Sequence, residues 1–181
     1  MADPFLRLWC RPVSDVRLRE VRPEDLPVLY ENQADAEVAR QARVPLRARE
    51  AFYAHWDKLL GDATVNNRVV LVDEEVAGFV GAWNRDGERQ VGYQLGRAFW
   101  GRGAATEGLR QLLAVEKARP LHAHVAKANV ASVRVLEKCG FALLGSSTLV
   151  EDSRGAPGRP TAPWHFDRVG RSGAVKTGQG T

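Results

Sequence analysis

Two glycines one residue apart, Gly101 and Gly103, stand where the chain changes its period. Before them, Val91, Tyr93 and Leu95 share one face of an alternating run, with Glu88, Gln90 and Gln94 on the other. That is the period of a strand. After them, Ala105, Leu109, Leu112 and Leu113 recur at helical spacing, predicting a helix from Ala104 to Arg119 that Pro120 stops. Glycines between a strand end and a helix start let backbone approach a ligand closely, and the first-turn N–H groups with the helix dipole form an anion site. A tight turn that merely needs glycine fits Gly-x-Gly as well. A P-loop is excluded, because no G-x-x-x-x-G-K-[ST] occurs, and no G-x-G-x-x-G supports a dinucleotide fingerprint.

The rest of the chain supplies the partners of this unit. Residues 13–20 alternate as a first strand, and Pro23-Glu-Asp opens a helix with acids in its first turn. A second helix is expected near Pro45, with Phe52, Trp56, Leu59 and Leu60 as its buried stripe. Arg68–Val72, Val76–Trp83 and Glu88–Leu95 predict three strands joined by turns at Asp73-Glu-Glu and Asn84-Arg-Asp-Gly. Leu121–Val125 is a short strand, and Asn129 caps a helix that ends at Gly140. Phe141–Val150 and Trp164–Val169 close the chain as strands around the polar loop Glu151–Ala162. The order β-α-α-β-β-β-α-β-α-β-β is an α/β arrangement on a mixed sheet. One domain over residues 1–170 is expected, with 171–181 a mobile tail.

Net charge is +4, but residues 154–181 hold five basic residues against Asp167, leaving 21 basic and 21 acidic residues in 1–153. The folded body is neutral, and neither interleaved aromatics nor a motif supports nucleic-acid binding. Two cysteines, Cys10 and Cys139, make neither a disulfide framework nor a four-ligand zinc site, so no metal is expected and a reducing cytoplasm fits best. The longest pure apolar run, Val69-Val70-Leu71-Val72, is far short of a membrane span, and the N-terminal residues carry no secretory pattern.

The run Gly92-Tyr-Gln-Leu-Gly-Arg-Ala-Phe-Trp-Gly-Arg-Gly-Ala-Ala-Thr-Glu107, followed by Asn129-Val-Ala-Ser-Val-Arg-Val-Leu-Glu-Lys-Cys-Gly-Phe141, resembles the GNAT N-acetyltransferase superfamily. It is most similar to the branch that holds the ribosomal-protein N-terminal acetyltransferases. The strong match covers residues 90–145. The resemblance implies acetyl-coenzyme A as co-substrate and a primary amine as acceptor. It implies that N–H groups of Gly101, Arg102, Gly103, Ala104 and Ala105 hold the pyrophosphate, with the Thr106 hydroxyl close by and Arg102 facing phosphate or solvent. Trp100 stands where the family loop often has Gln or Arg. The fourth strand is expected to splay from the fifth, so that the pantetheine arm pairs with backbone near Gln94, Leu95 and Arg97. The N–H of Leu95 is the implied donor to the thioester oxyanion.

Asn129 and Ser132 fit ordinary helix-start chemistry, while the resemblance makes Asn129 a contact to the pantetheine amides. Many GNAT enzymes protonate the departing thiolate with a Tyr that is here Leu136, which leaves Ser132 on the same face, or a water, as the acid. The base is less defined. Gln90 occupies the carboxylate position, and Glu88, facing the same way, is the candidate acting through water. Glu107 is expected to make a structural hydrogen bond; His122 and His124 to pack or face solvent; Cys139 to be a buried small apolar residue rather than a nucleophile. Trp83 and Tyr93 are candidate walls of the amine channel, and Arg40, Arg43, Arg47 and Arg49 read as a solvated face or as an anion-recognising cluster. The expected activity is N-acetyl transfer to a protein N-terminus, an amino-acid-like amine or another small amine, by direct attack in a ternary complex. The alternative is a non-catalytic acyl-coenzyme A binding module. Dimers are frequent in the superfamily, so a homodimer is a candidate assembly.

Overall fold

The computed structural model describes residues 15–42, 46–126, 128–146 and 163–168. Strand β1 (Val16–Glu20) leads through a 3-10 turn (Pro23–Asp25) into helices α1 (Leu26–Ala34), α2 (Ala36–Ala42) and α3 (Arg49–Gly61). Strands β2 (Asn66–Val72), β3 (Glu75–Arg85) and β4 (Glu88–Leu95) follow, then a 3-10 turn (Arg97–Phe99) and α4 (Ala104–Val115). The chain closes with β5 (Leu121–Ala126), α5 (Val130–Lys138), β6 (Ala142–Ser146) and β7 (Pro163–Arg168). Residues 151–162, the tail 171–181, Cys10, Arg43, Pro45 and the outer ends of the first and last expected strands lie outside the described residues.

The two hairpins form as the turn residues dictate. Asp73 and Glu74 have φ of 52° and 67°, and Asp86 and Gly87 have 51° and 81°. Positive φ at both central positions is the twist that matches flanking strands. The first half of the chain holds three helices where two were expected. Asp35 breaks the first: its carboxylate accepts the N–H groups of Glu37 and Val38 at 2.9 and 3.2 Å, capping α2 before α1 can continue. Helix α4 ends at Val115, short of Arg119, because Glu116 leaves the helix to accept Arg89 at 2.6 Å and the Ala118 N–H at 3.1 Å.

Among the described residues seven strands form one sheet in the order β1-β2-β3-β4-β5-β7-β6. Neighbours are antiparallel except β4 and β5. Both faces are covered, so β2 is apolar without alternation: Val70 and Val72 pack under α4, Val69 and Leu71 under α1 and α3. On the α4–α5 side the core holds Val91, Leu95, Leu109, Leu112, Leu121, Val133 and Leu136. On the other side Phe52 and Trp56 pack with Leu26 and Leu29. Gly108 lets α4 sit close: a Cβ there would be 3.1 Å from Val70 Cγ2.

Candidate active site in the split between β4 and β5

Pairing along β3 and β4 runs the whole length, from Arg85 opposite Glu88 to Gly78 opposite Leu95. Pairing of β4 with β5 is confined to Gln90 opposite His122. Beyond that rung the two parallel strands diverge, as the expected splay requires. Alternation decides which groups face the gap. The Gly96 N–H donates to the Ala77 carbonyl on β3 at 2.8 Å, so the backbone groups of Leu95 and Tyr93 point the other way, toward β5. Gln94 lies opposite Phe79 and its backbone belongs to the β3 ladder. The groups that face the gap are therefore those of Tyr93 and Leu95 rather than Gln94, with the Leu95 carbonyl taken by the Trp100 indole.

The opposite wall is the first turn of α5. Asn129 accepts the Ser132 N–H at 3.1 Å through Oδ1 and donates through Nδ2 to the Gln41 carbonyl, at 3.1 Å, at the end of α2. Its cap role is filled and one amide N–H is left over. The Tyr93 hydroxyl crosses the gap and donates to the Ser132 carbonyl at 3.0 Å. Burial pushes the Tyr93 phenol well above the ordinary tyrosine range, the Ser132 hydrogen bond lowers it, and nearby Cys139 raises it further. The ring stays neutral. Tyr93 packs on the α4–α5 core, whereas the Trp83 ring lies over Gly92 on the other face, where a Cβ would meet Cη2 at 2.7 Å. The two aromatics therefore do not wall one channel. Tyr93 ties β4 to α5 instead, a role that side-chain spacing alone does not reveal.

Above the gap lies the glycine loop. Gly101 and Gly103 have φ of 72° and 78°, and a Cβ on either would meet nothing within 4 Å. Backbone conformation, not crowding, requires glycine here, and the face stays open. Gly103 is the N-cap of α4, so the N–H groups of Ala104 and Ala105 begin an unpaired first turn. Arg102 is exposed, its guanidinium 5.8 Å from the Phe99 ring. Thr106 is turned inward and buried, and its carbonyl accepts the Cys139 thiol at 3.6 Å. The buried position withdraws the Thr106 hydroxyl from the exposed loop. Trp100 folds back so that its indole Nε1–H donates to the Leu95 carbonyl at 2.9 Å. Arg97 is exposed and pairs with Asp35 at 3.6 Å.

Glu88 opens β4 at the hairpin opposite Arg85, seven residues or roughly 23 Å of strand from Leu95. A carboxylate there cannot serve a reaction centred on the Leu95 N–H directly or through one water. Gln90 is buried at the rung itself. Glu107 accepts Gln111 Nε2 at 3.1 Å, and that amide also donates to the Val16 carbonyl at 2.7 Å, so this carboxylate braces β1. Arg40 pairs with Glu37, and Arg49 stacks 5.7 and 5.8 Å from the Tyr30 and Tyr53 rings. These two arginines are engaged locally instead of forming an anion cluster. A cleft of about 370 Å³ adjoins the Leu95–Gly96 peptide on the α1 side, lined by Glu31, Asn32, Asp35 and residues 96–99.

The pattern of the acetyltransferase (GNAT) domain matches residues 15–142. The uncharacterized N-acetyltransferase p20 of Bacillus licheniformis is 28% identical over 167 residues, covering 85% of this chain and 92% of that protein. A putative acetyltransferase from T. thermophilus is 27% identical with a TM-score of 0.66, covering 90% of this chain and 92% of that one. The spermidine N-acetyltransferase of Vibrio cholerae, in complex with CoA and spermine, shares the fold with a TM-score of 0.72 at 16% identity, over 85% of this chain and 95% of that one. With the split sheet, the open glycine loop and a domain match across most of its length, this chain belongs to the acetyltransferase (GNAT) family.

Proposed function

We propose that the chain is an acetyl-coenzyme A-dependent N-acetyltransferase acting on an α-amine of a peptide N-terminus or an amino-acid-like molecule, by direct attack in a ternary complex. The observation that carries this reading is the gap itself. Leu95 presents backbone on one wall, Asn129 and Ser132 stand on the other, and the glycine loop lies beside its mouth. The N–H groups from Gly101 to Ala105 would hold the pyrophosphate, because they lead into a helix N-terminus where a Cβ on Gly101 or Gly103 would meet none of the described residues within 4 Å. The spare N–H of Asn129 would hold a pantetheine carbonyl. The Leu95 N–H would stabilise the oxyanion as the amine attacks the thioester carbon, an interaction worth about 3–4 kcal/mol in comparable acyl-transfer sites. As the C–S bond breaks, Ser132 would protonate the departing thiolate and take back a proton released through water by the attacking nitrogen; Tyr93 holds the turn that carries Ser132.

The acceptor class rests on the carboxylates that the described residues place near the reacting end. Glu88 is out of reach, Asp35 is occupied in capping α2 and in pairing with Arg97, and Glu31, on the cleft beside Gly96, is exposed to solvent. An α-amine, with a pKa near 8, is partly neutral at physiological pH, while a lysine-like amine near 10.4 needs a stronger base. This supports the N-terminal acetyltransferase branch over polyamines such as the spermine held by the Vibrio cholerae protein. The test is a panel of amines. Acetyl-coenzyme A at ~100 Kd should stabilise the fold by about 2.7 kcal/mol. Release of free thiol should then require an α-amine, with polyamines and lysine side chains much slower. Binding without thiol release would identify a non-catalytic acyl-coenzyme A module; faster turnover of polyamines would overturn the acceptor class.

A further inference from the structure

We infer that Trp100 is a positioning residue whose indole N–H sets the geometry of the Leu95 donor; the inference rests on Leu95 being that donor. The exit of β4 is held from both sides. On one side the Gly96 N–H meets the Ala77 carbonyl at 2.8 Å, and Asn32 Nδ2 donates to that same carbonyl at 3.2 Å. Gly96 packs so tightly there that a Cβ would lie 2.2 Å from Asn32 Oδ1. On the other side the Leu95 carbonyl points into the gap, where β5 has already diverged. Among the described residues no β5 backbone group pairs with it, and Trp100 takes that part at 2.9 Å. The 3-10 turn makes this possible: Phe99 N–H to the Gly96 carbonyl and Trp100 N–H to the Arg97 carbonyl bring the chain back over its own strand end.

Two consequences follow for the reaction. The Leu95–Gly96 peptide is clamped at its carbonyl and its N–H, which fixes ψ at Leu95 and with it the direction in which the strand presents the Leu95 N–H. The indole also occupies the acceptor beside that N–H. A substrate amide drawn to the Leu95 carbonyl would displace the reacting group along the strand, and a displacement of about 1 Å can cost on the order of 100-fold in rate. Trp100 directly precedes Gly101, so one side chain ties the position of the anion loop to that of the acyl donor site.

The test is Trp100→Phe, which keeps an aromatic ring and removes the N–H, alongside replacement of Trp100 by 3-benzothienylalanine, which keeps the bicyclic shape. Either folded variant suffices. The expected result is a fall in kcat of roughly 10- to 100-fold with KM for acetyl-coenzyme A changed less than about threefold. Isotope-edited infrared spectra of bound acetyl-coenzyme A, labelled at the thioester carbonyl and recorded without acceptor, supply a readout that mere loss of packing would not move. Wild type should shift this carbonyl to lower frequency than in water, and the variants should lose most of that shift. A full shift and unchanged kcat in a variant would overturn the role of Trp100 while leaving Leu95 as donor. The absence of any shift in wild type would overturn both.

Discussion

Replacing Tyr93 by Phe removes one oxygen from the wall of the gap and leaves the ring in the core. The lost contact is the 3.0 Å hydrogen bond to the Ser132 carbonyl. That carbonyl lies inside α5 and keeps a helical partner, so the loss should sit near the middle of the usual range, about 1 kcal/mol. For a chain of 181 residues that lowers Tm by roughly 2–4 °C at neutral pH. The stronger prediction concerns pH. The folded-state pKa of Tyr93 is raised, by burial first, above an unfolded value near 10. The neutral phenol therefore contributes stability that is complete below pH 10 and is lost as pH rises toward the folded value. At pH 11 wild type should have lost about 1.4 kcal/mol through this group, and the Phe variant none of it. The two should become equal in stability, or reverse order, by about pH 11. Urea unfolding at pH 8 and pH 11 measures both differences. A gap that stays constant across that range would refute a buried neutral phenol at this position.

Ser132→Ala should lower kcat at least tenfold with KM for acetyl-coenzyme A changed less than threefold, since a positioned proton donor contributes about 10²–10⁴ in rate; steady-state kinetics with equal kcat would eliminate Ser132 as the acid. Glu116→Gln removes the counter-charge of the Arg89 guanidinium, 16% exposed and bonded to Glu116 at 2.6 Å, while Arg89 Nη1 keeps the Thr64 carbonyl at 2.6 Å; it should cost about 1.5–3 kcal/mol in denaturant unfolding at pH 7. Burial raises the Glu116 carboxyl but Arg89 and the Ala118 N–H outweigh it and hold it below the ordinary value. Its contribution is present above about pH 4.3 and lost as pH falls through the folded value, so the variant should show a shallower acid transition than wild type. Gly103→Ala forces a Cβ into φ of 78° without any steric neighbour. It should cost about 1–2 kcal/mol and shrink the thermal shift on acetyl-coenzyme A, whereas a full shift would remove this loop from the binding site.

What could be read in the sequence was local. The β2–β3–β4 meander follows from a short apolar run and the alternation of β4, punctuated by Asp-Glu and Asp-Gly, and α5 from Asn129 and Gly140 at its two ends. Gly140, with φ of 81°, and the Phe141 N–H bonded to the Leu136 carbonyl close that helix as its position predicts. Non-local choices were hidden. Nothing in Phe141–Ser146 says that β7 inserts between it and β5, because both strands fit either slot. Asp35 looks like any helical acid until its carboxylate is seen capping α2. Within the site, the glycine loop and Asn129 were legible as residue types in order. The places of Gln94 and Glu88 were not legible, because the direction of a strand amide and a distance along a strand depend on register with β3. The Trp100–Leu95 bond depends on a 3-10 turn that no period announces.

The single rung between Gln90 and His122 has a consequence for what the protein can tolerate inside its own sheet. Unpaired strand edges are ordinarily where foreign chains attach and aggregates grow. Here the vacancy lies between two strands of one sheet and opens only where they diverge. Its depth is limited by the rung, and Asn129, Ser132 and Tyr93 guard one flank. A slit bounded in this way suits a single thin, flexible chain better than a broad β surface. The fold thereby keeps the hydrogen-bonding capacity of an edge strand while escaping its usual penalty.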